Sequence, residues 1–450
     1  MVDIYILDLL VIGLLLLIVT LGSGWISRLP LSFAMIYLMV GVFLGPYGLG
    51  LIQLRRHELF NAELVERLTE FVVIVSVFSC GLKIVTLLKW KFWNITARLI
   101  GLLMPISIFS LAAVGKFWLG MNWGEAILLG AILAPTDPVL ASEVQLTDTN
   151  DDDELRFGLT SEGGLNDALA FPFVYFGIYA LKDSNWHNWL GKWVAVDVIW
   201  AITAGMVMGL IVPLCIVWID KKIQKSRPAD AVMEDFVAIS TILITYSLTE
   251  IVNGYGFLAV FVAGLAVQRS YTNPQKPLGQ LEFIERLEKL LEVGLILLLG
   301  TILLWQPMFK YAAQSLLVIS LLFLVIRPMG VWVSTIGKRP LNSHRRNFNP
   351  VTRLLFGWFG IRGIGSLYYL AYSLGNGLKG ETAEQIAWIT YTTVVISVIV
   401  HGISATPLMN WYKSNIANRT RSNIPATIDE FESFCKQMFK LRFLYYIFTQ

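Results

Sequence analysis

Charge is scarce in this chain. Only 15% of its 450 residues are Asp, Glu, Lys or Arg, against roughly 25% in soluble proteins, and 56% are hydrophobic where about 45 to 50% is usual. An ordinary soluble protein is excluded. Cysteine is rarer still: Cys80, Cys215 and Cys435 stand far apart with no CxxC, so neither a disulfide framework nor a zinc site is expected. The basic residues form no long tract with interleaved aromatics, and the formal net charge is only +3. No nucleic-acid partner is expected. There is no HExxH and no Walker A loop to mark a metalloprotease or an ATPase, and no cofactor is expected. The amino terminus carries Asp3 and Asp8 but no Lys or Arg before its apolar run, the wrong flank for a secretory signal. A retained first span is expected there.

What is abundant is apolar length. Runs such as Val11 to Val19 and Leu295 to Leu304 are apolar on every face, unlike the alternating segments of a membrane barrel, and the mean hydropathy is +0.63. With ~20 residues needed per span, the sequence reads as an all-α polytopic membrane protein. Apolar stretches fall at about 4–21, 31–51, 66–88, 97–119, 123–145, 155–181, 192–219, 234–252, 255–269, 288–304, 309–336, 352–374 and 386–412, thirteen spans in all. The pair 234–252 and 255–269 is divided only by Asn253-Gly254. Reading it as one helix would change the parity. With an external amino terminus, 25 of the 35 Lys and Arg lie on the cytoplasmic side and 8 outside, as the positive-inside rule requires. That orientation puts the carboxyl terminus in the cytoplasm. The segment 413–450, polar and then mixed aromatic and basic, suits a short amphipathic helix on the membrane surface. The acidic run Asp148, Asp151, Asp152, Asp153 and Glu154 is either a solvated loop or a cation-attracting mouth.

Five ionisable residues sit inside spans: Asp137 in span five, Glu162 and Asp167 in span six, Arg327 in span eleven and Arg362 in span twelve. Each costs about 2.5 to 3.5 kcal/mol at a helix centre. They must pair or meet water and ions. Span five reads Leu133-Ala134-Pro135-Thr136-Asp137-Pro138-Val139, and its two prolines remove backbone donors at mid-membrane. A break is expected, with freed carbonyls and the Thr136 hydroxyl as candidate cation ligands and Asp137 capping the second half-helix. Span twelve carries its own break, Gly357-Trp358-Phe359-Gly360-Ile361-Arg362-Gly363-Ile364-Gly365-Ser366. The two breaks are seven spans apart, so the broken helices run in opposite directions, as inverted-topology repeats with crossed discontinuous helices require. In span six, Glu162 and Asn166 share a helix face, with Asp167 turned about 100° from Asn166. The face offers a carboxylate, an amide and a second carboxylate towards the break. Gly205 and Gly209, spaced GxxxG, read as a close helix contact.

These residues resemble the monovalent cation/proton antiporters of the NhaP type, kin of the animal sodium/proton exchangers. The match consists of Thr136-Asp137-Pro138, the Glu-x-x-x-Asn-Asp motif of Glu162, Asn166 and Asp167, and Ile361-Arg362-Gly363, within roughly residues 5 to 412. The resemblance implies a homodimer in the plasma (inner) membrane. Residues 1–412 would form the transmembrane domain, with a mobile core around 97–181 and 309–412 and a dimerisation scaffold from the other spans. It further implies that Asp167 binds the ion and the proton, with Asn166 its neutral neighbour and Thr136 and Asp137 the broken-helix contributors. Asp167 and Thr136 would hold the monovalent cation, Na+ first and K+ or Li+ as alternatives. Glu162 would be ion-paired with Arg327, and Arg362 would be a further core charge. The Asn-Asp pair resembles the electroneutral branch. Many relatives carry a small hydroxyl residue directly after the glutamate; here it is Gly163. The coordination shell differs at that point.

Two other classes compete. An intramembrane hydrolase could use buried carboxylates, but no Tyr-Asp or Gly-Asp dipeptide is present, and His401, alone in span thirteen, reads as a satisfied core histidine with no nucleophile placed beside it. A cation channel of the same fold is not separated from an antiporter by sequence.

Overall fold

The computed structural model describes residues 32–50, 62–84, 90–146, 153–224, 231–271, 279–337 and 349–417, with a few isolated positions elsewhere. The expected first span at 4–21 and nearly all of the expected amphipathic tail lie outside the described residues. Among the described residues the structure is helical throughout, without strands. In chain order the helices are α1 (Phe33–Leu44), α2 (Ala62–Lys83), α3 (Phe92–Phe117), α4 (Trp123–Leu133), α5 (Glu154–Leu169), α6 (Phe171–Lys182), α7 (Leu190–Ile223), α8 (Ala231–Ile251), α9 (Gly256–Tyr271), α10 (Gly279–Ile302), α11 (Ala312–Ser334), α12 (Pro350–Trp358), α13 (Ile364–Gly375) and α14 (Gly380–Tyr412).

Each of the twelve later spans has its counterpart. Five helical stretches are long and apolar enough to cross a membrane unaided: α3, α5 with α6, α7, α11 and α14. Of the others, α2, α8 and α10 run to 22, 21 and 24 residues but are more polar, and the rest are short because the chain breaks or caps them. α8 and α9 are separate helices: Asn253 takes a left-handed conformation (φ 55°), Gly254 N–H returns to Thr249 O (2.9 Å), and Tyr255 N–H reaches Ala201 O on α7 (3.0 Å). A left-handed residue past the last turn closes a helix. The two therefore count separately among the described residues, as expected.

Local sequence sets the ends near the centre of the molecule. Asn122 and Glu125 form a reciprocal capping box on α4. Asp153 accepts from Arg156 N (3.0 Å) to start α5, and Asn349 with Pro350 starts α12. Small residues let helices approach closely. A Cβ at Gly209 would come 2.8 Å from Ala259 Cα, and one at Gly205 would come 2.9 Å from Tyr255 O, so the GxxxG of α7 is indeed the seat of a close contact, with α9. The far side of α7 turns Ile199, Met206, Leu210, Leu214 and Trp218 outward. Such a row is tolerable against hydrocarbon and costly against water.

Candidate functional site

α4 ends at Leu133, where Ala134 N–H still bonds to Gly130 O (2.8 Å). Pro135 and Pro138 then offer no N–H, and the chain turns through 138–141 into the single 3₁₀ turn Ser142–Val144. The second half-helix expected for span five is therefore absent. Its first donors are taken: Val139 N (2.8 Å) and Leu140 N (3.1 Å) both donate to Asp137 Oδ1, which closes a turn in competition with a helix. The helix that Asp137 does cap belongs to the other break. Its Oδ2 accepts from Ile364 N and from Gly365 N at the start of α13.

The two breaks touch directly, with Asp137 N–H donating to Ile361 O (2.8 Å). Arg362 mirrors the role of Asp137. Its Nε donates to Leu133 O at the end of α4, its Nη1 to Gly360 O beyond the end of α12 (2.7 Å), and its backbone N to Ser397 Oγ (2.8 Å). Negative charge thus lies on helix N-termini and positive charge on helix C-termini, the arrangement that macrodipoles favour. One carbonyl expected to be free for a cation, Leu133 O, is occupied by this guanidinium. The break is braced further by His401, whose Nε2 lies 2.9 Å from Trp358 O and whose Nδ1 lies 3.2 Å from Ser397 Oγ. Nδ1 also lies 2.9 Å from Ser397 O, so both ring nitrogens meet backbone carbonyls, one in α14 and one at the end of α12.

Glu162 does not face the break. Arg327 Nη1 and Nη2 grip its two oxygens at 2.8 and 3.0 Å, a bidentate pair whose side chains are only 2% and 4% exposed. Arg327 fits so tightly against the second break that a Cβ at Gly360 would overlap it. Asp167, five residues along the same helix, is fully buried, yet neither of its carboxylate oxygens accepts a hydrogen bond. Asn166 Oδ1 is equally bare, while its Nδ2 donates to Thr136 Oγ1 (2.8 Å). A Cβ at Gly365 would lie 2.6 Å from Asp167 Oδ1, so glycine is what admits the carboxylate here. The charged groups that Asp167 faces are Asp137 and Arg362.

A cavity of about 580 Å³ reaches the crossing. One wall is Val139, Leu140, Ile361 and His401, and the other is Lys83, Glu285, Glu288 and Glu292. Lys83 Nζ sits 3.5 Å from Glu285 and 3.9 Å from Glu288. In another direction α6, α9 and α13 meet through packed rings, Phe171 lying 5.4 Å from both Tyr255 and Tyr369. Tyr369 also donates its hydroxyl to the backbone oxygen of Asp167. Sequence reasoning missed Tyr369 and Ser397. Neither carries a local signal, because their partners are far away along the chain.

A helical membrane protein in which a buried, unpaired carboxylate lies beside two crossed, interrupted helices is built as an ion-coupled secondary transporter. Comparison with known proteins gives the family. Residues 13–411 match the model of the transmembrane sodium/hydrogen exchangers, and the chain belongs to that family: it is a cation/proton antiporter, not an enzyme. It is 23% identical over 430 residues to the K(+)/H(+) antiporter NhaP of Alkalimonas amylolytica, covering 95% of this chain and 70% of that one. It is 24% identical over 417 residues to the Na(+)/H(+) antiporter of Schizosaccharomyces pombe, covering 86% of each. The solved structure of the sodium proton antiporter MjNhaP1 from Methanocaldococcus jannaschii shares the fold with a TM-score of 0.64 at 21% identity, over 89% of this chain and 98% of that one.

Proposed function

We propose that one carboxylate, Asp167, binds the cation and the proton in turn, so that each excludes the other and the exchange needs no other energy source. The observation that carries this is the pair of bare Asp167 oxygens at zero exposure. A carboxylate so placed, without donors, is neutralised either by a proton or by a cation. Asn166 Oδ1 and the Thr136 hydroxyl supply neutral oxygens beside it, and Asp137 holds the crossed helices in place. Glu162 and Arg327 are the structural pair, and Arg362 compensates the helix ends.

Na+ is the first choice of cation, with K+ and Li+ as alternatives, since the relatives named above include both Na+ and K+ exchangers. One proton replaces one cation and the cycle is electroneutral. Asp137 supports this stoichiometry: its oxygens accept from four backbone N–H groups, bonds that protonation would disturb. Alternating access moves the core of 97–181 and 309–412 against a scaffold of the remaining spans in a homodimer. The protein would serve pH homeostasis in the plasma (inner) membrane, lipid-bound, with its amino terminus outside and its carboxyl terminus in the cytoplasm. The test is a proteoliposome assay that follows internal pH while Na+, K+ and Li+ gradients are imposed. Flux of one cation against protons, reversing with the gradient and absent in Asp167→Asn, is expected. Conductance with no proton counterflow would mean a channel, and full exchange by Asp167→Asn would remove the assignment.

A further inference from the structure

The coordination shell carries one residue that neither the motifs nor the family membership assigns. Gln145 lies just past the 3₁₀ turn Ser142–Val144 and is completely buried, yet its Nε2 has no hydrogen-bond partner. Its backbone is pinned, because the next residue, Leu146, donates its N–H to Thr160 Oγ1 on α5 (2.9 Å). The amide end lies against Gly163, where a Cβ would come within 3.5 Å of Gln145 Nε2 and 3.3 Å of Pro138 Cβ. Gly163 and Asp167 are four apart on α5, which places them on one face, with about 5 to 6 Å between Cβ positions. The Gln145 amide therefore stands one helical turn from the bare Asp167 carboxylate, beside the broken segment of span five. Its other amide atom, Oε1, has only the weak thiol contact of Cys80 Sγ at 3.9 Å. Burying an amide this way costs free energy unless something pairs with it.

We propose that the Gln145 carboxamide is a further cation ligand, supplying a neutral oxygen to the partly dehydrated monovalent cation at the place that Gly163 leaves open next to Asp167. Turning the amide about its last bond exchanges oxygen and nitrogen in the same volume, so Oε1 reaches the Gly163 side without moving the backbone. This placement rests on Asp167 being the shared site. Carbonyl-type oxygens suit hard monovalent cations, and the number of such ligands sets how readily a site prefers one ion over another.

The test uses the purified full chain in proteoliposomes, with Na+, K+ and Li+ as the probes. Gln145→Leu keeps volume and removes the amide. It should raise KM for the preferred cation by about tenfold or more, the scale of one hydrogen bond to a charged group, and change the order among the three ions. Maximal exchange and cation-free thermal stability should stay close to the parent's. Gly163→Ser placed in the Gln145→Leu background should recover part of the lost affinity, because its hydroxymethyl group enters the same space. If Gln145→Leu lowers cation-free stability together with exchange, Gln145→Asn, which keeps an amide but draws its oxygen back from the ion by one methylene, decides. Recovery of stability by Asn with KM still at the parent value would overturn the proposal, as would an unchanged KM and ion order in a stable Gln145→Leu. The Asp167→Asn control separates the two claims: loss of exchange there, with Gln145→Leu indifferent, rejects the ligand and leaves the shared carboxylate standing.

Discussion

Two carboxylates five residues apart on α5 have opposite surroundings. Glu162 is gripped at both oxygens by Arg327, whereas Asp167, equally buried, is gripped by nothing. The same contrast divides the whole centre of the molecule into two regions. In the frame, Asp137, Arg362, Glu162 and Arg327 spend their charges on helix ends and on each other. At the pocket side, Asp167 and Asn166 keep buried oxygens that accept no hydrogen bond. The difference is the support for our proposal that ionisable groups here are of two kinds, those that hold the crossed breaks still and one that is left for exchange. A frame that is internally compensated can stay put while the charge at Asp167 changes.

Substitutions on the two sides should therefore fail differently. The largest effect on transport belongs to the pocket: Asp167→Asn should reduce exchange to the level of protein-free liposomes while thermal stability, followed by fluorescence in detergent, is retained or raised, since an uncompensated buried carboxylate has been removed. A large stability loss in that variant would place Asp167 in the frame. The largest effect on folding belongs to the ion pair. Glu162→Gln should cost about 3 to 5 kcal/mol, because the Arg327 guanidinium is left buried without its partner, and adding Arg327→Leu should return part of that. A double variant that loses the full sum of the two singles would show that the pair is not coupled.

A smaller effect is expected at Asp137. Asp137→Asn keeps an oxygen for α13 or for the turn at Val139 but loses the charge at the helix end, a cost of about 1 to 3 kcal/mol by the worth of bonds to charged groups. Exchange should fall in proportion to the misplacement of Thr136, and cation affinity more than maximal rate. The smallest expected effect is that of voltage. If only Asp167 changes its charge, a potassium diffusion potential across Na+-exchanging proteoliposomes should leave the exchange rate unchanged. A rate that follows the imposed potential would mean a second proton carrier, with Asp137 the first place to look.

The breaks and the charges were legible in the sequence because they are anomalies: prolines three apart in an apolar run, four glycines around an arginine, carboxylates where the membrane penalises them. The separate helices α8 and α9 were legible through Asn253-Gly254 and the charge balance of the loops. The lattice of bonds at the crossing was not. Asp137 was expected to cap its own second half-helix, and caps a turn and α13, because the nearest N-terminus in space comes from more than two hundred residues away. Arg362 reaching Leu133 O, and Ser397 and His401 bracing the break, are contacts of the same long range. Gln145 is only the last residue of the apolar stretch 123–145 in the sequence, and nothing in its neighbours signals that it is sealed inside.

The central claim, that one carboxylate is shared, is tested most directly by proton release. Purified protein in weakly buffered detergent solution receives the transported cation while pH is recorded, at a pH where the unloaded site is protonated. The account predicts release approaching one proton per protomer on cation binding, and none from Asp167→Asn. Cation binding without proton release, or undiminished release from Asp167→Asn, would contradict it.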